Sequence, residues 1–182
     1  MLKSLNFSDL KSFKILTFSS SAPKYRYLCA GLTLEGICKR EGCEAFNKNV
    51  LLPVGMGHFS LAEIIHFQKC PICAQEINHS TIKTMGFYNC YYQVTGKKAD
   101  EAKLFEIKRT QAPADGWLIF DSEEKDCTEW FFLKITTEPC WLKEMSFNLI
   151  HQLSAAERSI AISEAKNVCV FRAWPFEWFI EN

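Results

Sequence analysis

Two short cysteine pairs are the residues of this chain whose type and spacing could do chemistry. Cys38 and Cys43 frame one loop, Cys70 and Cys73 frame another, and 26 residues separate the two pairs. Thiolates at about 2.3 Å suit tetrahedral Zn²⁺, and a chain reversal between the pairs would supply four of them. Because four protein ligands leave no position for water, the pattern predicts a structural zinc site rather than a hydrolytic one. Four thiolates also accept iron.

The second pair has a redox interpretation as well. The run Cys70-Pro71-Ile72-Cys73 superficially matches a dithiol motif. That activity needs a strand before the motif and a helix whose N-terminus lowers the pKa of the first thiol. Here the motif follows a predicted helix and the first cysteine pair competes for it, so metal binding is the favoured interpretation.

Cys90, which lies within residues 86–91 (GFYNCY), is the one further cysteine that could take part in metal binding or catalysis. Three roles stay open for it: a buried apolar side chain, an extra metal ligand, or the reactive thiol of a cysteine-dependent enzyme. No Gly-x-Ser-x-Gly elbow, His-Glu-x-x-His helix or phosphate-cradling glycine loop occurs in the sequence. We therefore assign no catalytic residue.

Composition bounds the class of protein. The chain has 182 residues, 48% of them hydrophobic, which suits one domain with a real core. The 21 basic and 21 acidic residues cancel, and this balance argues against a nucleic-acid binder. No stretch approaches the roughly 20 apolar residues of a membrane span, and no signal peptide is visible. Cysteine pairs in such a chain indicate a reducing compartment. We expect the cytoplasm, or a host cytosol reached by signal-independent secretion.

Three segments must position these residues. The apolar spacing of residues 1–22 predicts a helical appendage and linker. Residues 23–140 are predicted to form the zinc module, in which a capping box at 60–63 (SLAE) starts a short helix before the last cysteine pair. Residues 141–182 are predicted to add helices and a strand that pack on the module.

The β-structure is predicted from runs of branched and aromatic residues. These runs lie at 104–107, 117–120 and 130–135, with a turn signal between the first two. The predicted fold class is α+β: a single zinc-stabilised domain with a mainly antiparallel sheet, the short helix before the last cysteine pair, and C-terminal helices.

Part of the module resembles a known family. The motif at 55–59 (GMGHF), a helix with Ile64, and the terminal Cys-Pro-x-Cys at 70–73 resemble the second half of a RING or U-box domain. A RING domain holds two zinc ions through eight ligands. One set of four cysteines implies a degenerate, one-zinc form.

A longer resemblance covers about residues 30–140. The segments 31–38, 43–47, 57–59, 70–73 and 86–91 and the strand at 130–137 are similar to a cysteine-rich module. That module is found with ubiquitin-like domains in proteins of protists and other eukaryotes. The resemblance implies work in the ubiquitin pathway.

The RING resemblance also implies a partner surface. Ligases of this type do no covalent chemistry and present a rigid apolar surface to a ubiquitin-conjugating enzyme. The matching positions are Ile37 beside the first ligand, Ile64 or Ile65 on the helix, and Pro71 with Ile72 in the last loop. Two functions are thus expected: a ubiquitin-ligase-like protein that recruits a conjugating enzyme or ubiquitin, or a non-enzymatic zinc-stabilised interaction module such as a secreted effector.

Overall fold

The structure is a computed structural model that describes residues 5–19, 21–120, 127–140 and 178–180. Strands occupy 56% of the described residues and helical turns 10%. The predicted α+β class is therefore wrong, and the described part of the chain is all-β. Its elements in chain order are β1 (Leu5–Ser8), β2 (Phe13–Leu16), β3 (Phe18–Ser19), β4 (Tyr27–Leu28), β5 (Gly31–Ile37), β6 (Asn49–Gly55), β7 (Gly57–Ser60), α1 (Leu61–Ile64), β8 (Thr84–Tyr88), β9 (Cys90–Lys98), β10 (Phe105–Gln111), β11 (Trp117–Phe120), β12 (Cys127–Pro139) and β13 (Trp178–Ile180).

The first sheet is antiparallel and centres on the long strand β12. Its order is β1-β12-β9-β10, and β7 pairs with another part of β12. From Cys90 to Lys98, buried residues of β9 alternate with half-exposed ones. This period of two is typical of a strand with one face on a hydrophobic core.

The second sheet has the order β2-β11-β8-β5-β6. Every residue of β8 and β11 is buried, because both faces of this sheet are covered. One face meets the main core, and the other carries a second cluster that includes Leu51, Tyr88 and Trp117. Burial on both faces explains the unbroken apolar run of β11. A small third sheet has the order β3-β13-β4.

The main core lies between the two larger sheets. Phe87 of β8 stacks on Tyr92 of β9 with ring centroids 4.1 Å apart, which joins the sheets directly. Trp130 of β12 is fully buried, and its indole N–H donates to the carbonyl oxygen of Ser8 at 3.1 Å. These contacts join the two sheets around one core, to which the cysteine loops also contribute Cys38 and Cys70.

The helix predicted for residues 1–22 is wrong. Leu5–Ser8 and Phe13–Leu16 are strands, one in each large sheet. A turn joins them, in which the amide of Lys11 donates to the Asp9 carboxylate at 2.9 Å and Leu10 takes φ of 61°. Asp9 therefore serves a turn, which is a common use of that residue.

Several predicted elements are confirmed. The strand at 117–120 has the predicted bounds, and the predicted runs at 104–107 and 130–135 overlap longer strands. The short helix before Cys70 is also present, as α1 and a following 3₁₀ turn, although the Ser60 side chain makes no capping hydrogen bond.

The predicted C-terminal helices lie outside the described residues. Within 141–182 the structure describes only Trp178–Ile180, which is a strand. In the part of the chain that the structure describes, no helix is long and apolar enough to cross a membrane.

Candidate metal centre

The four predicted ligands meet at one point of the structure. The Sγ atoms of Cys38, Cys43, Cys70 and Cys73 all lie within 4.8 Å of one another. Cys38 and Cys73 are 3.8 Å apart at sulfur, and Cys43 and Cys70 are 3.9 Å apart. Thiolates bound tetrahedrally at about 2.3 Å have S···S edges of about 3.8 Å, whereas a disulfide needs about 2.05 Å. The sulfurs are therefore spaced for one metal ion, and both of these closest contacts join the two loops.

The first cysteine pair lies in the loop between β5 and β6. Cys38 directly follows β5, and Gly42 takes φ of 80° just before Cys43, a conformation that favours glycine. The amide of Asn47 then donates to the Cys38 carbonyl at 2.8 Å, and the Cys38 amide donates to Lys48 at 3.3 Å. These bonds return the chain to β6 with both sulfurs on the inside of the loop.

The second pair lies at the tip of a short hairpin. The amide of Ile77 donates to the Gln68 carbonyl at 2.9 Å, and the amide of Cys70 donates to Gln75 at 2.8 Å. The turn closes through Ala74, which has φ of 56° and whose amide donates to the Cys70 carbonyl at 2.9 Å. We name residues 68–77 the cysteine hairpin.

Backbone amides point at three of the four sulfurs. The amide of Ala45 donates to Cys43 Sγ at 3.4 Å. The Arg40 amide similarly faces Cys38, and the Gln75 amide faces Cys73. Each donor lies two residues after its cysteine, so the turn that places the sulfur also solvates its negative charge.

The thiols differ strongly in their ease of ionisation. The amide of Gln75 lowers the pKa of Cys73 to about 7, while burial raises the pKa of Cys38 to about 12. Burial also raises the pKa of Cys43. Because four adjacent thiolates repel one another and pay a desolvation cost, the site favours the fully ionised set only when a cation is bound.

The loops are anchored on β5 and on the core. Cys38 and Cys70 are 1% and 2% exposed and belong to the main hydrophobic cluster. At Gly36 of β5, a Cβ would crowd the side chains of Ile77 and Ile82. Glycine therefore lets the segment after the hairpin pack directly on the strand.

Cys90 does not take either functional role left open for it. Its side chain is fully buried on β9, and it is not part of the group of clustered sulfurs. Burial raises the pKa of Cys90 to about 12, so its thiol stays protonated near neutral pH. It is the apolar core cysteine that the sequence allowed, and the predictions of an extra ligand and of a reactive thiol are corrected.

The predicted partner-binding residues do not form one exposed patch. Ile65 is 2% exposed and packs in the core, which excludes it from any surface. Ile37, Ile64 and Ile72 are half-buried, and Pro71 is exposed. Ile65 begins the 3₁₀ turn after α1, four residues after the buried Leu61, and so lies on the same inward side.

The structure reveals two exposed aromatic residues beside the metal loops. Phe67 is 77% exposed where the 3₁₀ turn leads into the cysteine hairpin. Phe46 is 37% exposed and its backbone bridges to Cys38. The exposure of Phe67 could have been predicted from its position at the end of a short helix, because such a helix buries only one face.

Three comparisons with known proteins gave no match. No protein-family model, no curated protein and no solved structure matches this chain. The functional interpretation accordingly rests on the geometry of the site.

Proposed function

We propose that this protein is a zinc-stabilised interaction module that does no covalent chemistry of its own. The observation that carries the proposal is the closed quartet of sulfurs, with S···S distances of 3.8 and 3.9 Å between the two loops. Four thiolates in a tetrahedron suit zinc and fill its coordination. The ion would hold the loops in place and leave no position for a substrate.

Other features of the described residues agree with a non-catalytic role. No second group of three or more ligand side chains is found there. Cys90 is fully buried and therefore provides no accessible nucleophile. Free thiols throughout the described chain fit a protein that works in a reducing compartment such as the cytoplasm.

The partner surface that we propose lies beside the metal loops. Phe67, Phe46 and Pro71 expose apolar surface there, on backbone that a bound metal would make rigid. Large exposed apolar side chains on a rigid support are typical of protein interfaces. We propose a protein partner and no nucleic acid, since the chain has no net positive charge.

The second candidate function is recruitment of a ubiquitin-conjugating enzyme or of ubiquitin. It is supported by the resemblance of the last cysteine loop to a RING or U-box module, and by the placement of Pro71, Ile72, Ile37 and Ile64. These four residues are exposed or half-buried, so each retains surface for a partner. A secreted effector that acts in a host cytosol would use the same surface on a different partner.

The test combines metal analysis with autoubiquitination across a panel of ubiquitin-conjugating enzymes. Ubiquitin chains that need the metal and disappear with Ile72→Ala would support the ligase-like function. The control is Ile15→Ala, which truncates an exposed isoleucine outside the metal loops, on strand β2. One zinc per chain without ubiquitin chains would leave the interaction module, and absence of a metal would reject both.

A further inference from the structure

A pair of histidines lies at the base of the cysteine hairpin. His66 is in the 3₁₀ turn Ile65–Phe67, and His79 begins the 3₁₀ turn His79–Thr81. Their ring centroids are 4.8 Å apart and their planes are inclined by 55°. Both side chains are exposed, so nothing in the core forces the rings together.

The pairing of the hairpin explains why the rings meet. Lys69 lies opposite Glu76 in the ladder, and hydrogen bonds join Gln68 with Ile77 and Cys70 with Gln75. Extending this register outward places residue 66 opposite residue 79. The hairpin therefore carries two cysteines at its tip, and the 3₁₀ turns that lead into and out of it carry the two imidazoles.

The separation of the rings fits two imidazoles on one metal ion. A metal bound at about 2.0–2.1 Å from a ring nitrogen lies roughly 3.2 Å from the ring centroid. Two rings at coordination angles between about 90° and 110° then have centroids roughly 4.5–5.2 Å apart. The observed 4.8 Å lies within that interval.

We propose that His66 and His79 form a second, exchangeable site for a divalent transition-metal ion. Imidazole is a preferred ligand of zinc, nickel and copper. Among the described residues, three or more ligand side chains cluster only at the cysteine quartet, so the histidine site has two protein ligands and water completes its coordination. The site uses none of the side chains of the proposed partner surface, and its metal would link the two chain segments at the open end of the hairpin.

The test is a calorimetric titration of the untagged full chain, already loaded with zinc, with Ni²⁺ as the probe. We expect one equivalent of Ni²⁺ to bind while the zinc content stays unchanged, which shows that the quartet is not displaced. His79→Ala and His66→Ala should each weaken Ni²⁺ binding about tenfold or more, equivalent to at least about 1.4 kcal/mol.

His58→Ala is the matched control. His58 is also exposed, but its Nδ1 lies 3.0 Å from Thr136 Oγ1 on a different part of the molecule. The control should bind Ni²⁺ as the unaltered protein does. The proposal is overturned if the unaltered protein binds no Ni²⁺, if His79→Ala binds it equally well, or if His58→Ala weakens it as much. None of these results bears on the zinc quartet or on partner binding.

Discussion

The cysteine loops and the sheet core of this protein hold their shape by different means. The sheets bury whole side chains such as Phe87 and Trp130 and satisfy their backbone in long ladders. The loops bury fewer and smaller side chains, namely Cys38, Ala45, Cys70 and Ile77, and rely on tight turns with positive φ. We therefore propose that the sheets are stabilised mainly by their own apolar burial, whereas the loops depend on a bound metal.

The binding free energy of a metal is large enough to stabilise the loops. Zinc binding is worth about 10–16 kcal/mol in small zinc-finger peptides. A whole domain has a stability of about 5–15 kcal/mol. Removal of the metal should therefore affect the loops first and most strongly, and the following experiments separate the two regions.

The largest expected effect is that of Cys70→Ser. The buried sulfur of Cys70 is 3.9 Å from Cys43 Sγ, and a serine hydroxyl is a poor substitute for a zinc thiolate. We expect complete loss of zinc, together with loss of hydrogen-exchange protection in residues 38–48 and 68–77. Zinc content and exchange by mass spectrometry would measure both.

The same experiment has an internal and an external control. The ladder between β9 and β12 should keep its protection, because it belongs to the core. Cys127→Ser, at a half-exposed cysteine of β12, should retain one zinc per chain. If Cys70→Ser retains zinc, or if hydrogen exchange increases equally in the loops and in the core, the proposed distinction between these two regions is contradicted.

The next effect is that of Trp130→Ala in the core. Removing this fully buried indole leaves a cavity and deletes the hydrogen bond to the Ser8 carbonyl, at a cost of about 3–5 kcal/mol. Urea unfolding would measure the change, and the folded variant should still bind one zinc. The neighbouring Phe131→Ala, at a side chain 48% exposed, should cost much less. Equal costs for the two variants would contradict the placement of the core.

The next prediction concerns the chemical reactivity of the Cys90 thiol, for which a smaller effect is expected. Because the pKa of Cys90 is raised to about 12 in the folded chain, the thiol is neutral at pH 8. Iodoacetamide should modify it only after unfolding, as peptide mapping would show. Its burial stabilises the fold below the unfolded pKa of about 8.5. That contribution declines as the pH rises towards 12. Rapid labelling of native protein at pH 8 would contradict this assignment.

The smallest effect on stability is expected for Phe67→Ala. Phe67 is 77% exposed, so its removal should change the free energy of unfolding by less than about 0.5 kcal/mol. Binding of a captured partner should nevertheless weaken, measured by cross-linking and mass spectrometry. Phe13→Ala, at an exposed phenylalanine of β2, is the control. Unchanged partner binding in Phe67→Ala would remove this residue from the proposed surface.

The clustering of the four cysteines could be predicted from sequence because ligand spacing is a local property. A close pair such as Cys38 and Cys43, matched by a second close pair, allows few alternatives to a metal site once no disulfide framework is indicated. The apolar run of β11 was similarly informative, since burial on both faces leaves a continuous hydrophobic segment.

The fold class could not be predicted from local patterns. Strands β5 and β9 contain glycine and polar residues, and these weaken the alternation that would indicate a strand. The leucines of the first 16 residues fit a helix as well as two strands joined by a turn. Only the partners, β12 and β11, decide between the two.

Side-chain direction also depended on tertiary structure. The sequence offered Ile64 and Ile65 equally for a partner surface, and the docking of α1 buried Ile65. The contact of His66 with His79 follows from the register of the hairpin. No spacing in the sequence indicates that register.

The most direct test of the account is native mass spectrometry of the purified chain, with hydrogen exchange before and after chelation. We expect one zinc ion per chain. Chelation should expose the amides of 38–48 and 68–77, while the ladder of β9 and β12 stays protected. A chain that carries no metal, or loops that stay equally protected after its removal, would contradict the claim that the quartet is a structural metal centre.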